Sequence, residues 1–443
     1  MRALLVLTVA LAAAAHAQPD PDAGSEPSAE GDWAGMVQMP GRVMAFSVTL
    51  AHDGDGWTGT ASAPDAGVQD LPFDRVEVAG DSIRMEIMGG MAVLAGRFAP
   101  GGDYAAGRFR YGGQPGTFSF ARPGSPQALA ITKEIGAWEI PPSPHPDSAR
   151  IVTEDIPRFW AAYDASTPDS LAAVLQRDYF GHATPGLDDF LGIKIGSAER
   201  MARKVNERPR FYASVRPSTL RVAEFEPEIR AAFRRMKALY PDAVFPDVYF
   251  VVGGLSAGGT ASQRGLLLGA EFLGRTPDMP ADELNAWERL VVSPAEGTPL
   301  IVAHELVHYV QDFDVLEQTL LVGALREGSA DYLGEMISGG FNNAHIHAWA
   351  DPREREVWCT FQSEMDGDDT SDWLATGGQR RPDNLDYDDL GYYVGYKIAE
   401  AYHDRARAAG RTDEEVVREI LHVSDAQAFL DQSGYAERFA CGD

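Results

Sequence analysis

The stretch that decides the fold of the C-terminal half is Thr298-Pro299-Leu300-Ile301-Val302-Ala303-His304-Glu305-Leu306-Val307-His308. Thr298 and Pro299 are typical of a helix start, and the apolar residues that follow predict a buried helix. His304 and His308 are four residues apart, so both imidazoles project from one helix face and can bind a single metal ion. Glu305 lies next to that face, where its carboxylate can accept a proton from water. The alternative is a core helix whose two histidines are only hydrogen-bonded.

A second helix is predicted to supply a third ligand. Residues 315–339 carry leucines at helical spacing and end at Gly339-Gly340, a typical helix stop. Glu327 follows His308 after eighteen intervening residues, and three protein ligands leave the fourth position of zinc open for water. Asp331, one turn further on the same face, is placed to hydrogen-bond a ligating histidine. The alternative for both carboxylates is an ordinary solvated charge, which the apolar surroundings disfavour.

This spacing of two histidines, eighteen residues and a glutamate resembles the arrangement of the gluzincin zinc peptidases. The resemblance implies that His304, His308 and Glu327 bind one zinc ion per chain. It also implies that Glu305 acts first as general base and then as general acid in the hydrolysis of a peptide bond.

More of the chain, from about residue 151 onward, resembles a bacterial family of predicted zinc-dependent proteases related to gliding-motility lipoproteins. Besides the metal motifs, the matching stretches are Leu239-Tyr240-Pro241-Asp242-Ala243, Phe250-Val251-Val252-Gly253, Gly258-Gly259-Thr260, Gly265-Leu266-Leu267-Leu268-Gly269-Ala270-Glu271 and Gly391-Tyr392-Tyr393-Val394-Gly395-Tyr396. The lipoprotein cysteine has no counterpart, because the first cysteine is Cys359.

Two tyrosines are candidates for stabilising the oxyanion that forms when water attacks an amide carbonyl. Tyr392 stands three residues before Gly395, a spacing similar to the Tyr-x-x-Gly of the zinc aminopeptidases. Tyr396 lies one helical turn later on the same face and is the alternative. The other interpretation of both rings is core packing of an aromatic helix.

The sequence Gly269-Ala270-Glu271 is similar to the substrate-binding strand of those aminopeptidases. The pattern of elements predicts a strand at residues 266–272, which is expected to be an edge strand able to hold an extended peptide above the metal. The resemblance implies that Glu271 on this strand holds the free amine of the substrate. Whether the enzyme is an endopeptidase or an aminopeptidase is left open.

The first residues predict export. Residues 1–17 contain an apolar run that ends in Ala15-His16-Ala17, which is typical of a cleaved signal peptide, so a periplasmic or secreted product is expected. Residues 18–32 are predicted to be a disordered polar linker. Residues 33–122 contain alternating apolar and polar positions, as in Met44 to Leu50, which predict a small antiparallel β-barrel or sandwich.

Residues 123–147 are rich in proline and are predicted to be a linker without a helix or strand. Residues 148–443 show helical patterns, then short strands at 248–252 and 266–272, then the metal-binding helices. The fold class expected is therefore α+β, with a β-rich accessory domain ahead of a mostly helical, gluzincin-like domain that contains a short sheet.

Charge and cysteine content limit the partners. A net charge of −28 disfavours nucleic acid and anionic membranes, and no membrane span is expected beyond the signal peptide. Cys359 and Cys441 are consistent with one disulfide in an oxidising compartment, the alternative being two unpaired thiols. The expected partner is a peptide or protein substrate, and the oligomeric state is left open.

The favoured interpretation is an exported zinc-dependent metallopeptidase. The alternative is an envelope assembly or motility-related protein that keeps the fold and the zinc with little or no catalysis. Glu305 favours the first, because a purely structural zinc ion has no use for a general base.

Overall fold

The computed structural model describes residues 29–441 apart from Asp55, Gly67, Asp314, Leu316, Glu317 and Asp383. The predicted signal peptide and most of the predicted linker after it, residues 1–28, lie outside the described residues. The chain separates into two compact units. The first comprises the residues up to Gln38 with Met44–Lys133, and the second comprises Met39–Val43 with the residues from Glu134 onward.

The first unit is an eight-stranded antiparallel barrel. Its strands and one appended strand are β1 (Gly31–Met39), β2 (Arg42–His52), β3 (Trp57–Ala63), β4 (Val68–Pro72), β5 (Arg75–Ala79), β6 (Ser82–Ile87), β7 (Ala92–Phe98), β8 (Tyr104–Tyr111) and β9 (Gln114–Ala121). The ring runs β2-β1-β9-β8-β7-β6-β5-β3, and pairing of β2 with β3 closes it. Strand β4 pairs with β3 outside the ring.

Alternation along each strand builds the barrel core. Phe46, Val48 and Leu50 are buried while Ser47 and Thr49 between them are exposed, as the period of two requires. Because the pairing of β2 with β3 closes the ring, the predicted choice between a barrel and a sandwich is resolved in favour of a barrel.

A helix occupies part of the segment that the sequence predicted to be an irregular linker. Helix α1 spans Pro126–Trp138. Proline breaks a helix interior but is well suited to the first helical position, where Pro126 stands, and the next proline is Pro141. The prediction that residues 123–147 form no helix is wrong over this part.

The second unit contains a four-stranded sheet made of β10 (Ile151–Val152), β11 (Val248–Val251), β12 (Gly259–Ser262) and β13 (Gly265–Gly269). The strand order is β10-β11-β13-β12. Strands β10, β11 and β13 are parallel, and β12 runs antiparallel to β13 at the edge. The predicted edge strand at 266–272 is wrong, because β13 has a neighbour on each side and the chain then enters a 3-10 turn at Ala270–Leu273.

Helices make up most of the rest of this unit. They are α2 (Asp155–Asp164), α3 (Leu171–Val174), α4 (Pro185–Phe190), α5 (Ala198–Asn206), α6 (Pro209–Thr219), α7 (Glu226–Leu239), α8 (Ala286–Val291), α9 (Thr298–Val310), α10 (Leu320–Ser338), α11 (Ala344–Ala350), α12 (Glu354–Glu364), α13 (Leu390–Ala408), α14 (Asp413–Leu421) and α15 (Ala426–Ser433). The α+β class with a small sheet is confirmed. Within the described part of the chain, no helix combines the length and hydropathy that a membrane span needs.

Two details correct or complete the sequence predictions. Helix α10 begins at Leu320 rather than near residue 315, because Thr319 caps it by accepting a hydrogen bond from Val322 N at 3.3 Å. Cys359 of α12 and Cys441 form a disulfide. The disulfide decides between the two alternatives that the sequence left open, a bonded pair and two unpaired thiols, and it ties the C-terminal segment to α12.

Candidate metal centre

Three side chains from two neighbouring helices converge at one point. The Nε2 atoms of His304 and His308 on α9 are 3.0 Å apart. Oε2 of Glu327 on α10 lies 3.1 Å from Nε2 of His308 and 3.6 Å from Nε2 of His304. Among the residues that the structure describes, these three are the group that could hold a metal ion. The structure therefore brings together all three predicted ligands.

Hydrogen bonds fix which nitrogen of each imidazole faces the convergence point. Nδ1 of His304 lies 2.7 Å from Oδ1 of Asp331, and a carboxylate only accepts, so this nitrogen carries the proton. Nδ1 of His308 lies 2.9 Å from Oε1 of Gln311. The Gln311 amide is oriented by its Nε2, which donates to the Arg326 carbonyl at 3.0 Å. Both Nε2 atoms are thus left to act as ligands.

This arrangement fits a small divalent ion. If both imidazoles are neutral, the Nε2 lone pairs of His304 and His308 face each other and the Glu327 carboxylate, and these groups repel one another. A cation between them removes this repulsion. Two ligand atoms that are each about 2.1 Å from a tetrahedral zinc ion lie about 3.4 Å apart. The observed separations of 3.0, 3.1 and 3.6 Å are close to that value.

The charges around the site favour a cation. Burial acts to lower the pKa of His304, but Asp331 and Glu327 outweigh it and hold the pKa well above its ordinary value. The pKa of His308 is also raised, because Glu327 outweighs burial. Burial acts to raise the pKa of Glu327, yet the two imidazoles hold it well below the usual range. The carboxylates thus stabilise positive charge at the point where the three ligand atoms meet.

Asp331 and Gln311, which hydrogen-bond the two ligating histidines, differ in whether the sequence predicted them. Asp331 lies beside His304 as predicted, and its Oδ2 accepts a hydrogen bond from Nδ2 of Asn343 at 2.7 Å. Gln311 was missed by the sequence reasoning. The available signal was a polar residue three positions after His308, directly beyond the last residue of α9.

Glu305 lies between the metal ligands and the edge strand. Its side chain is buried, and burial raises its pKa although His304 and His308 act to lower it. Gly259, the first residue of β12, packs so closely on this carboxylate that a Cβ atom at position 259 would collide with it. The side chain of the candidate general base therefore packs against β12, the strand at this edge of the sheet.

The two candidate tyrosines have different surroundings. The Tyr392 ring is stacked near His304, with centroids 6.3 Å apart. Burial raises the pKa of Tyr392 well above its ordinary value, and Glu327 adds to the shift, so its hydroxyl stays protonated and can donate. Tyr396 instead donates to Glu335 at 2.5 Å, and its ring packs on His347. The structure brings Tyr392 to the site and does not bring Tyr396 there.

A close helix crossing brings Tyr392 there. Gly328 of α10 and Gly395 of α13 face each other, and a Cβ atom on Gly395 would overlap the carbonyl of Ala324. Because Gly395 is one turn after Tyr392, this contact holds the start of α13 against the helix that carries Glu327.

Glu271 does not reach the site. It is fully buried, and its carboxylate accepts hydrogen bonds from Gly253 N at 3.0 Å and Leu255 N at 2.8 Å. Gly269 and Ala270 are buried as well. The prediction that Gly269, Ala270 and Glu271 lie on an edge strand is wrong, because β13 lies inside the sheet and Ala270 and Glu271 follow it in a 3-10 turn. They therefore offer no strand edge to a substrate.

Residues 151–437 match the family model described as gliding motility protein GldB, and the match covers more than half of the chain. The chain belongs to the GldB family. The predicted relation to gliding-motility proteins is confirmed. The GldB-family range contains the four-stranded sheet, α9, α10 and α13, and hence all the residues of the candidate metal centre. Neither the curated proteins nor the solved structures include a match to this chain.

Proposed function

We propose that this GldB-family chain is an exported zinc-dependent metallopeptidase of the gluzincin type. The observation that carries the proposal is the convergence of His304, His308 and Glu327 beside the buried carboxylate of Glu305. A structural zinc site is closed by four protein ligands, whereas three ligands leave a position for substrate or water. A general base next to three ligands is the arrangement that hydrolysis requires.

A zinc ion held by these ligands would polarise the scissile carbonyl and lower the pKa of the attacking water. The Glu305 carboxylate accepts the proton of that water and delivers it to the leaving amine. One carboxylate can serve both roles, because it releases to the leaving amine the proton that it took from the water. Asp331 and Gln311 hold the two imidazoles in the tautomer that binds metal.

The stabilisation of the oxyanion is assigned to Tyr392. The pKa of Tyr392 is raised well above its ordinary value, so its hydroxyl stays protonated near the ligands and can donate a hydrogen bond to the negative oxygen that forms at the carbonyl carbon. Tyr396 has no part in this proposal, because its hydroxyl is already bonded to Glu335.

The proposed substrate is an extended peptide bound along β12. One side of this strand pairs with β13 and the other side is an edge, so backbone groups of residues 259–262 are available to a peptide. The packing of Gly259 on Glu305 would bring a peptide on this edge close to the general base.

The proposed location is the periplasm or the extracellular space. The Cys359–Cys441 disulfide is typical of an oxidising compartment. The apolar run in residues 1–17 and its Ala15-His16-Ala17 end are typical of a signal peptide. The alternative proposal is a motility-related envelope protein that binds zinc with little or no catalysis.

Cleavage of a complex peptide library by the purified protein tests the proposal. We expect cleavage that a chelator abolishes and added zinc restores, together with about one zinc per chain. His304→Ala combined with His308→Ala should remove both zinc and cleavage, whereas the exposed His182→Ala should change neither. A zinc-loaded protein that cleaves nothing would contradict the peptidase proposal and favour the non-catalytic alternative.

A further inference from the structure

The loop of residues 253–258 lies between β11 and β12 and is held by two ionisable side chains. Oε1 of Glu271 accepts hydrogen bonds from the backbone N–H of Gly253 at 3.0 Å and of Leu255 at 2.8 Å. From α5, Nζ of Lys204 donates to the carbonyl oxygen of Leu255 at 3.1 Å. Both peptide groups that flank Leu255 are therefore fixed by ionisable side chains from other parts of the fold.

The conformation of this loop needs such support. Gly254 and Leu255 have φ values of 71° and 51°, and the left-handed region is unfavourable for a leucine. In a turn such as this one, successive backbone N–H groups can point toward one centre and form a concavity that binds an anion. Here the carboxyl group of Glu271 occupies that concavity, and it has no solvent-exposed surface.

A buried carboxylate is costly unless it is bonded. Burial raises the pKa of Glu271 to about 7 despite the opposing backbone hydrogen bonds. An apolar side chain would fill the same volume without this cost. The carboxylate therefore contributes something besides packing, and the contacts show that it holds the loop.

The loop leads directly to the candidate metal centre. Its last residue, Gly258, packs against Ile301 of α9, and the next residue is Gly259, which lies on the Glu305 carboxylate. The conformation at Leu255 thus determines where β12 begins relative to Glu305.

We propose that Glu271 and Lys204 are positioning residues that fix the 253–258 loop and thereby hold the edge strand β12 in a rigid form beside Glu305. This inference rests on the proposed function, in which the free edge of β12 binds an extended peptide. The two residues touch neither substrate nor metal, and they act through the backbone of the loop.

Hydrogen–deuterium exchange on the zinc-loaded full chain tests this proposal. In Glu271→Gln and in Lys204→Met, the amides of residues 253–262 should exchange roughly tenfold faster, because a buried hydrogen bond to a charged group is lost or weakened. Exchange in α9 and α10 and the zinc content should stay unchanged. Asp155→Asn is the matched control, since Asp155 is similarly buried but bonds to Arg158 and Thr184.

A kinetic measurement separates this proposal from the proposed function. On peptides long enough to pair with all of β12, both variants should raise KM several-fold with a smaller effect on kcat, because the strand must be ordered when substrate binds. Exchange within twofold of the wild type in either variant would overturn the role of that residue. Should Glu271→Gln not fold, Glu271→Asp replaces it. A wild-type protein without turnover refutes the peptidase proposal, and the exchange result still decides the positioning role.

Discussion

At the scale of single residues, the proposed stabilisation of the oxyanion depends on which tyrosine hydroxyl faces the reacting carbonyl. Tyr392 stacks near His304, whereas the hydroxyl of Tyr396 is engaged by Glu335. Both stand on α13, one turn apart, and their different partners follow from what packs against each turn. A donor that bonds only to the developing oxyanion accelerates the reaction without being needed for metal binding.

Tyr392→Phe should therefore lower kcat about a hundredfold and leave the zinc content at the wild-type level. Tyr396→Phe, which removes a hydroxyl from the same helix, is the matched control and should retain most of the activity. Steady-state kinetics with metal analysis on both variants measures this. The opposite pattern, with the loss in Tyr396→Phe, would mean that the oxyanion donor was assigned to the wrong turn.

Gln311 provides a second test at this scale. Replacing it by leucine removes the acceptor for Nδ1 of His308, so zinc affinity should fall about ten- to a hundredfold. Competition with a chromogenic chelator measures the affinity. The exposed Gln362→Leu should bind zinc like the wild type, and equal affinities in both variants would show that Gln311 does not orient the histidine.

The three metal ligands could be predicted from the sequence. Of the two residues that hydrogen-bond the ligating histidines, Asp331 could be predicted and Gln311 could not. Helical periodicity fixes the relation of His304 to His308 and of Glu327 to Asp331, because each pair lies on one helix. Gln311 follows the end of α9, where the backbone leaves the helix with ψ of 134°. Its side-chain direction is therefore set by tertiary contacts, which the local spacing does not reveal.

At the scale of elements, the approach of α13 to α10 places a tyrosine beside the metal ligands. Gly328 and Gly395 allow this approach because neither carries a side chain at the crossing. Larger residues would separate the helices and move Tyr392 away from His304.

Gly395→Ala should lower the free energy of unfolding by about 1–3 kcal/mol or more, since its methyl group would overlap the Ala324 carbonyl. Guanidinium denaturation followed by circular dichroism measures the change. Gly136→Ala on α1, where a Cβ atom has no neighbour within 4 Å, should be neutral or stabilising by about 0.5–1 kcal/mol. A Gly395→Ala protein as stable as the wild type would show that the crossing is not tight.

Strand order was the element-level feature that the sequence did not reveal. The apolar run Leu266-Leu267-Leu268 predicts a strand, and burial on both faces is compatible with either an edge or an interior position. Which strand lies outside depends on long-range pairing, here of β12 with β13. Helix α1 was not predicted for another reason. Residues 123–147 are rich in proline as a whole, but the stretch from residue 127 to residue 140 contains no proline and can form a helix.

At the scale of the whole molecule, the chain combines an eight-stranded barrel unit with an α+β unit, and the GldB-family match covers most of the second. The alternation of Phe46, Val48 and Leu50 and the helical spacing around His304 predicted these two classes, since both patterns are local. The peptidase activity itself depends on whether Glu305 transfers protons at a metal centre, and this claim can be tested directly.

The most direct measurement is peptide cleavage and zinc content in the same preparations of the wild type and Glu305→Gln. The amide keeps the shape of the side chain but cannot accept the proton of water. We therefore expect about one zinc per chain in both proteins and a fall in kcat/KM of about a hundred- to ten-thousandfold in the variant. Cleavage by the variant at close to the wild-type rate would contradict the role of Glu305 and with it the proposed mechanism.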